Sequence, residues 1–168
     1  MGYTNAGKST LLNSLTDAGI YVADQLFATL DPTTRQLELP TGETVLMTDT
    51  VGFIQKLPTD LVAAFQATLE EITEADLLLH VIDGSHENAE LQRKTVLETL
   101  EAIGAGEIPI LTVYNKIDLL NAEDLQELKQ TAEPTARFIS ATERDGFAGL
   151  IEAIAAGVVQ GFEHVSVL

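Results

Sequence analysis

Hydrophobic residues along this chain fall into short continuous runs, separated by stretches in which apolar residues recur every three or four positions. The runs at 77–82 and 108–114 are almost entirely apolar, as in strands that are buried on both faces of a sheet. In the stretches between the runs, apolar residues recur at the spacing of one face of a helix. Strands that alternate with helices predict an α/β protein with a doubly wound, mostly parallel sheet and helices on both faces.

The same pattern gives approximate bounds for each element. Helices are expected at about 8–16, 88–103 and 124–131. A further helix is expected after a cap at Thr59, with Leu61, Phe65, Leu69 and Ile72 on one face. The last expected helix carries the apolar stripe Phe147, Leu150, Ile151, Ile154 and Val158. Strands are expected at 36–39, 44–47, 77–82, 108–114 and 136–139. The first two strands form a hairpin through 40–42, and residues 20–35 are expected to form a loop.

Composition narrows the class of protein. The 168 residues suit one domain, and 45% of them are hydrophobic, which allows a substantial core. The absence of Cys excludes disulfides and thiolate metal sites and fits a cytoplasmic protein. No apolar run reaches the ~18 residues that span a bilayer, so we expect no membrane partner. His80 lies in an apolar run and is expected to be a hydrogen-bonded sheet residue rather than a metal ligand.

The net charge of −17, from 26 acidic and nine basic residues, argues against a nucleic-acid-binding surface. Two of the basic residues, Lys8 and Lys116, belong to motifs described below, and the remainder is too small for a broad basic face. We therefore expect that the chain does not bind nucleic acid directly. We also expect a monomer with a solvated acidic surface.

Residues 2–9 match the phosphate-loop motif G-x-x-x-x-G-K-[ST] at every fixed position. Backbone N–H groups in such a loop converge on phosphate oxygens because glycine leaves their approach open. The helix that begins near Lys8 adds the positive end of its dipole, Lys8 reaches the outer phosphates, and the Ser9 hydroxyl holds Mg²⁺. The predicted phosphate-binding residues are Gly2, Tyr3, Thr4, Asn5, Ala6, Gly7, Lys8, Ser9 and Thr10. The motif predicts a P-loop nucleoside triphosphate-binding fold.

Such a loop normally follows a buried strand, and only Met1 precedes Gly2 in this sequence. We therefore expect the sheet to lack its first, central strand. Burial of five apolar side chains in that strand would contribute about 10 kcal/mol, against a typical net stability of about 5–15 kcal/mol. A chain extended upstream by about ten residues, the length of one strand, is expected to bind nucleotide more tightly.

Three further polar clusters follow predicted strands, at the edge of a parallel sheet where ligands bind. The clusters are Asp49-Thr50-Val51-Gly52, Asn115-Lys116-Ile117-Asp118 and Ser140-Ala141-Thr142. Each one taken alone is also compatible with an ordinary turn after a strand. Their shared position downstream of a phosphate loop favours a nucleotide site.

The Asn-Lys-x-Asp cluster indicates which base is bound. The Asp118 carboxylate can accept hydrogen bonds from N1–H and the 2-amino group of guanine, whereas adenine offers neither donor. The aliphatic stem of Lys116 can cover the base, and backbone N–H groups at Ser140 and Ala141 are expected to meet the guanine oxygen. Asp49 suits a Mg²⁺ ligand, and the Gly52 N–H suits a γ-phosphate contact.

Together these motifs resemble those of the HflX family of ribosome-associated GTPases, within the translation-factor class. The similar segments are GYTNAGKSTLLN at 2–13, ADQLFATLDPTTR at 23–35, DTVGFI at 49–54 and LVAAFQATLEE at 61–71. The resemblance implies binding of GTP and GDP, hydrolysis of GTP to GDP and phosphate, a Mg²⁺ cofactor and action on the large ribosomal subunit.

The resemblance also assigns the switch segments. Switch I is Phe27, Ala28, Thr29, Leu30 and Asp31, and switch II is Asp49, Thr50, Val51 and Gly52. By the family pattern Thr29 joins Ser9 and Asp49 as a Mg²⁺ ligand. Thr33 and Thr34 compete with Thr29 for this role on proximity alone.

Two residues depart from the pattern of the better-known small GTPases. Phe53 follows Gly52 where many GTPases have a Gln that positions the attacking water, so the catalytic residue is unknown. Asn5 occupies a loop position at which several GTPases of this class ligate K⁺, which gives the hypothesis that activity depends on K⁺. The alternative is that Asn5 serves only as a favourable loop residue.

By this resemblance, residues 1–162 form the GTPase domain without its first strand, and 163–168 begin a truncated C-terminal segment. The N-terminal domain of the family has no counterpart here. The alternative function is a truncated, non-enzymatic remnant that acts as a protein-interaction module.

Overall fold

The computed structural model describes residues 7–15, 34–49, 75–102, 104–159 and 164–167. In these ranges the helices are α1 (Lys8–Leu15), α2 (Ala89–Ala102), α3 (Ala122–Thr131) and α4 (Phe147–Val159). The strands are β1 (Thr34–Glu38), β2 (Thr44–Asp49), β3 (Leu77–Asp83), β4 (Ile110–Asn115), β5 (Arg137–Phe138) and β6 (His164–Val167). A short 3₁₀ helix spans Ile117–Leu119.

The six described strands form one sheet in the order β1-β2-β6-β3-β4-β5. The β1–β2 hairpin is antiparallel and the other neighbouring strands are parallel. The predicted α/β class with a mostly parallel sheet is confirmed. The helix expected after Thr59 lies outside the described residues, and so do residues 20–33 of the loop expected at 20–35. The loop prediction was wrong for residues 34 and 35, which begin β1 and pair with Thr48 and Met47 of β2.

The apolar runs at β3 and β4 are buried because both faces of the sheet are covered. On one face, α1 and α4 pack with the strands into one hydrophobic cluster of the described residues. This cluster includes Leu11, Leu12, Leu15, Met47, Leu79, Leu150, Ile154, Val165 and Val167. On the other face, Val96 and Leu100 of α2 pack on Leu78. Alternate residues of β3 therefore contact different helices.

The position of β6 differs from what the sequence indicates. We expected a sheet without a central strand, yet residues 164–167 lie between β2 and β3 and run parallel to both. Val165, Ser166 and Val167 are fully buried there. Whether residues 163–168 also begin a further segment stays a prediction.

His80 on β3 is buried, as expected of a residue in an apolar run, but its Nδ1 atom has no hydrogen-bond partner in the described part of the chain. Burial lowers the pKa of this imidazole from the ordinary 6.5 to about 4, because desolvation penalises the charged form. The positive charge of Arg93 acts in the same direction, and the negative charge of Glu133 opposes it.

Acid is therefore expected to destabilise the fold through His80. The folded pKa lies below the unfolded one, so the stabilisation is complete above pH 6.5 and is lost as pH falls towards about 4. The loss at the lower limit is about 3 kcal/mol in the free energy of unfolding. Urea titrations at pH 7.5 and pH 4 should show that His80→Leu gains this amount relative to the unsubstituted chain as pH falls. The same difference between the two chains at both pH values would contradict the assignment.

Candidate nucleotide-binding site

The candidate site lies where parallel strands end. Asp49 is the last residue of β2, Asp83 of β3 and Asn115 of β4. Asp83 and Asn115 are register partners, and Asp49 pairs with Val167 of β6. The polar clusters predicted after β2 and β4 therefore begin at the same edge of the sheet, which is the edge where α/β folds bind ligands.

Gly7 of the predicted phosphate loop lies directly against Asn115 of the predicted guanine motif. A Cβ atom built on Gly7 would come 2.3 Å from Nδ2 of Asn115, which is closer than real Cβ contacts allow. Gly7 also has a φ of 92°, a backbone conformation that side chains other than glycine's rarely adopt. The close approach and the positive φ each require a glycine at position 7, and the absence of a side chain there lets residues 7 and 115 lie in contact.

Hydrogen bonds join the two predicted guanine-binding segments. The buried Asn115 accepts a hydrogen bond at Oδ1 from the Ala141 N–H (2.9 Å), and the buried Ser140 hydroxyl donates to Asp118 Oδ1 (2.8 Å). The backbone continues the connection, because the Ile117 N–H donates to the Ile139 carbonyl at 3.2 Å. Residues 115–118 and 140–141 therefore form one hydrogen-bonded unit beside Gly7.

The N–H groups of Ser140 and Ala141 already donate hydrogen bonds to acceptors within the protein. The Ser140 N–H donates to the Asp145 carbonyl at 3.0 Å, and the Ala141 N–H is used by Asn115. We expected these groups to meet the guanine oxygen. In this structure both donate within the protein, and their contact with guanine stays a prediction. Their role here is to hold the turn that contains Thr142, which is itself exposed.

The first helix is connected to the same turn. The Ser14 hydroxyl of α1 donates to the Ala141 carbonyl across 3.4 Å. Lys8 and Ser9 form the first turn of α1, and Thr10 follows as an exposed residue. Residues 2–6, 27–31 and 50–53 lie outside the described residues, and with them the predicted roles of Asn5, Thr29 and Phe53. Among the residues that the structure describes, no group of three or more His, Asp or Glu residues is arranged to hold a metal ion.

Lys116 adopts an unusual backbone conformation beside a carboxylate that sequence reasoning overlooked. Its φ of 64° and ψ of 31° lie in the left-handed region, and its Nζ lies 3.2 Å from Oδ2 of Asp83. The other oxygen of Asp83 accepts hydrogen bonds from the Ser85 N–H (2.9 Å) and the Ser85 hydroxyl (2.5 Å). The ion pair therefore fixes the end of the Lys116 side chain at the end of β3.

The charge state of Asp83 supports this arrangement. Burial by itself would raise the pKa of this carboxyl, but the hydrogen bonds from Ser85 and the ammonium of Lys116 outweigh it, so the pKa is lowered. Asp83 is accordingly ionised at neutral pH. The sequence did carry a signal, because Asp83 ends a strand at the same edge of the sheet as Asp49 does.

Replacing Asp83 by Asn is expected to weaken nucleotide binding about fivefold to tenfold, because Lys116 loses the charge that orients its side chain. The effect is modest because the Lys116 side chain is 32% exposed. Glu98→Gln, which removes an exposed ion pair with Lys94 at 3.9 Å, is the matched control and should leave the dissociation constant unchanged. Equal dissociation constants for Asp83→Asn and the unsubstituted chain, measured by calorimetry, would show that the pair has no positioning role.

Comparison with known proteins identifies the family. The family model described as "50S ribosome-binding GTPase" matches residues 1–116. The chain belongs to this family. None of the helices in the described ranges has the length and hydrophobicity needed to cross a bilayer.

Within the 50S ribosome-binding GTPase family, the chain is similar to proteins named GTPase HflX. The one from Caldanaerobacter subterraneus subsp. tengcongensis is 52% identical over 168 residues, which is 100% of this chain and 38% of the relative. The one from Escherichia coli K12 is 51% identical over 158 residues, which is 92% of this chain and 36% of the relative. The chain thus spans little more than a third of the length of these relatives, and it is similar to them over nearly all of its own length.

The fold also matches a solved structure. A GTP-binding protein from Sulfolobus solfataricus, in complex with GDP, superposes with a TM-score of 0.69 at 29% identity. The match covers 95% of this chain and 51% of that protein.

Proposed function

We propose that this domain binds Mg²⁺–GTP at the edge formed by β2, β3 and β4 and hydrolyses it to GDP and phosphate. The observation that carries the proposal is the contact of Gly7 with Asn115. Gly7 belongs to the predicted phosphate loop and Asn115 to the predicted guanine motif, so their contact supports a single nucleotide that reaches both. Hydrolysis requires a water molecule to attack the γ-phosphorus while the bond to the β,γ-bridging oxygen breaks.

Guanine selectivity rests on Asp118 in this proposal. The residue is exposed, and one of its oxygens accepts the Ser140 hydroxyl, which orients the carboxylate without covering it. Guanine offers N1–H and a 2-amino group to this acceptor. Adenine would leave the carboxylate desolvated and without these donors, which costs several kcal/mol, on the order of 2–4. The internal use of the Ser140 and Ala141 N–H groups makes Asp118 the principal determinant of base choice.

The residues present fit a Mg²⁺ ion. Ser9 in the first turn of α1 and Asp49 at the end of β2 supply a hydroxyl and a carboxylate, which are the oxygen donors that this ion prefers. In the proposal Ser9 and Asp49 hold the ion together with Thr29. Bound Mg²⁺ would neutralise the charge that develops on the phosphate oxygens.

We further propose that Asn5 ligates K⁺ and that GTP hydrolysis depends on this ion. With Phe53 in place of a water-positioning Gln, a cation held by Asn5 would stabilise negative charge between the phosphates. GTP turnover is therefore expected to be at least about tenfold faster in KCl than in NaCl at equal ionic strength, a difference of about 1.4 kcal/mol in barrier height. Equal turnover in the two salts would reject the role of K⁺ and leave Asn5 as a loop residue.

The wider setting of the activity is also proposed. The family description names the 50S subunit, and we propose that the parent protein acts on the large ribosomal subunit in the cytoplasm. Release of phosphate from GTP, measured with Mg²⁺ and again after chelation of Mg²⁺, tests the enzymatic part. Phosphate release that needs Mg²⁺ supports hydrolysis by this site. A folded sample without nucleotide binding would instead favour the protein-interaction remnant.

A further inference from the structure

The last described strand of the chain occupies the middle of the sheet. Its register partners are Leu46, Met47, Thr48 and Asp49 on β2 and Leu77, Leu78 and Leu79 on β3. The strands β2 and β3 do not pair with each other among the described residues. Without β6 the sheet would divide into a β1–β2 hairpin and a β3–β4–β5 unit.

The direction of β6 relates it to the nucleotide site. It runs parallel to β2 and β3, and its last residue, Val167, pairs with Asp49. The carboxyl end of β6 therefore points to the edge at which Asp49 and Asn115 lie. This is the direction that a strand must have if a phosphate loop is to be held at its end.

The helix that follows the phosphate loop belongs to the same hydrophobic cluster as β6. Leu11, Leu12 and Leu15 of α1 share a hydrophobic cluster with Val165 and Val167, both of which are fully buried. A phosphate-binding loop normally lies between a strand and a helix that packs back on the sheet. Here α1 supplies the helix, and β6 has the position and direction of the strand.

We infer that β6 supports the phosphate loop from the centre of the sheet, in the slot that the strand before the loop takes in the strand–loop–helix motif. The strand is supplied through non-covalent pairing with β2 and β3, not through direct continuity with residues 2–9. This inference rests on the proposed function for the ligand, but the placement of β6 rests on the sheet alone. Nucleotide affinity should therefore depend on residues 164–167.

Engineered disulfides test the placement, because the chain contains no Cys. Met47 and Val165 are register partners on neighbouring strands, about 4.8 Å apart, which a disulfide can bridge. Met47→Cys with Val165→Cys should cross-link under mild oxidation. Leu46→Cys with Val165→Cys is the matched control. Leu46 is one residue away along β2 and its side chain is 41% exposed, on the opposite face, so this pair should not cross-link.

Nucleotide binding by the cross-linked protein tests the supporting role. The dissociation constant for GDP should agree within about threefold between the oxidised and reduced forms of the 47/165 pair, because the disulfide fixes a strand that is already in place. If the 47/165 pair does not cross-link while GDP binding is intact, or if cross-linking abolishes GDP binding, the inference about β6 is overturned and the proposed function is not. Absence of binding by the folded protein in every form would overturn the proposed function and the inference that depends on it.

Reordering the chain provides a second test that removes no residue. Residues 163–168 are moved in front of Met1, so that the strand runs directly into the phosphate loop. If β6 supplies the supporting strand, the reordered protein should fold and bind GDP at least as tightly as the original. A folded reordered protein whose affinity for GDP is more than tenfold weaker, or one that does not fold, would overturn the inference.

Discussion

Asp118→Asn is expected to lower the affinity for GTP by about 100-fold or more and to create affinity for xanthosine triphosphate. The asparagine amide places a donor opposite the 2-amino group of guanine, where two donors meet. Xanthine has an oxygen at this position, which the amide can hydrogen-bond. The remaining side-chain oxygen can still accept the Ser140 hydroxyl, which now lies 2.8 Å from Asp118 Oδ1. The fold should therefore be unaffected.

Competition titrations with the two triphosphates measure this change, and unfolding midpoints confirm that the fold is retained. Asp124→Asn is the control, because it removes one exposed carboxylate from the first turn of α3 that is not among the predicted site residues. It should leave both dissociation constants unchanged. Retention of tight GTP binding by Asp118→Asn would remove Asp118 from base recognition.

Gly7→Ala is expected to lower nucleotide affinity by about 100-fold or more. The new methyl group would lie 2.3 Å from Nδ2 of Asn115, at a residue whose φ is 92°. The left-handed conformation costs about 1–2 kcal/mol and the overpacking about 1–3 kcal/mol more. Because Asn115 also holds the Ala141 N–H, its displacement would disturb the phosphate loop and the guanine motif together.

The chain contains a matched control for this substitution. Gly42 in the turn between β1 and β2 has the same φ of 92°, but a Cβ there would meet no atom within 4 Å. Gly42→Ala should cost only the conformational strain of about 1–2 kcal/mol in unfolding free energy and should leave the GDP dissociation constant unchanged. If both variants bind GDP as tightly as the unsubstituted chain, the contact between Gly7 and Asn115 does not shape the site.

Local sequence pattern was sufficient for the strands and helices with a strong hydrophobic period. The apolar run at 77–82 predicted β3 because a strand covered on both faces needs apolar side chains at every position. The strand-end rule also placed Asp49 and Asn115 correctly at the ends of β2 and β4. Their nucleotide-binding roles remain predictions.

Other features depend on contacts between residues far apart in sequence. The four residues of β6 are compatible with several places in a sheet, and only pairing with β2 and β3 selects the centre. The left-handed conformation of Lys116 and its ion pair with Asp83 likewise depend on where β3 and β4 end. The directions of the Ser140 and Ala141 N–H groups are set by the backbone of the turn, so the residue types at these positions do not predict them.

The central claim is that residues 7, 115–118 and 140–141 enclose one guanine nucleotide. The most direct test is calorimetric titration of the folded protein with GTP and with ATP, each in the presence of Mg²⁺. The account predicts that GTP binds at least about 100-fold more tightly than ATP, as expected when an unmatched carboxylate costs several kcal/mol, on the order of 3. Equal affinities for the two nucleotides, or no binding of GTP by a folded sample, would contradict it.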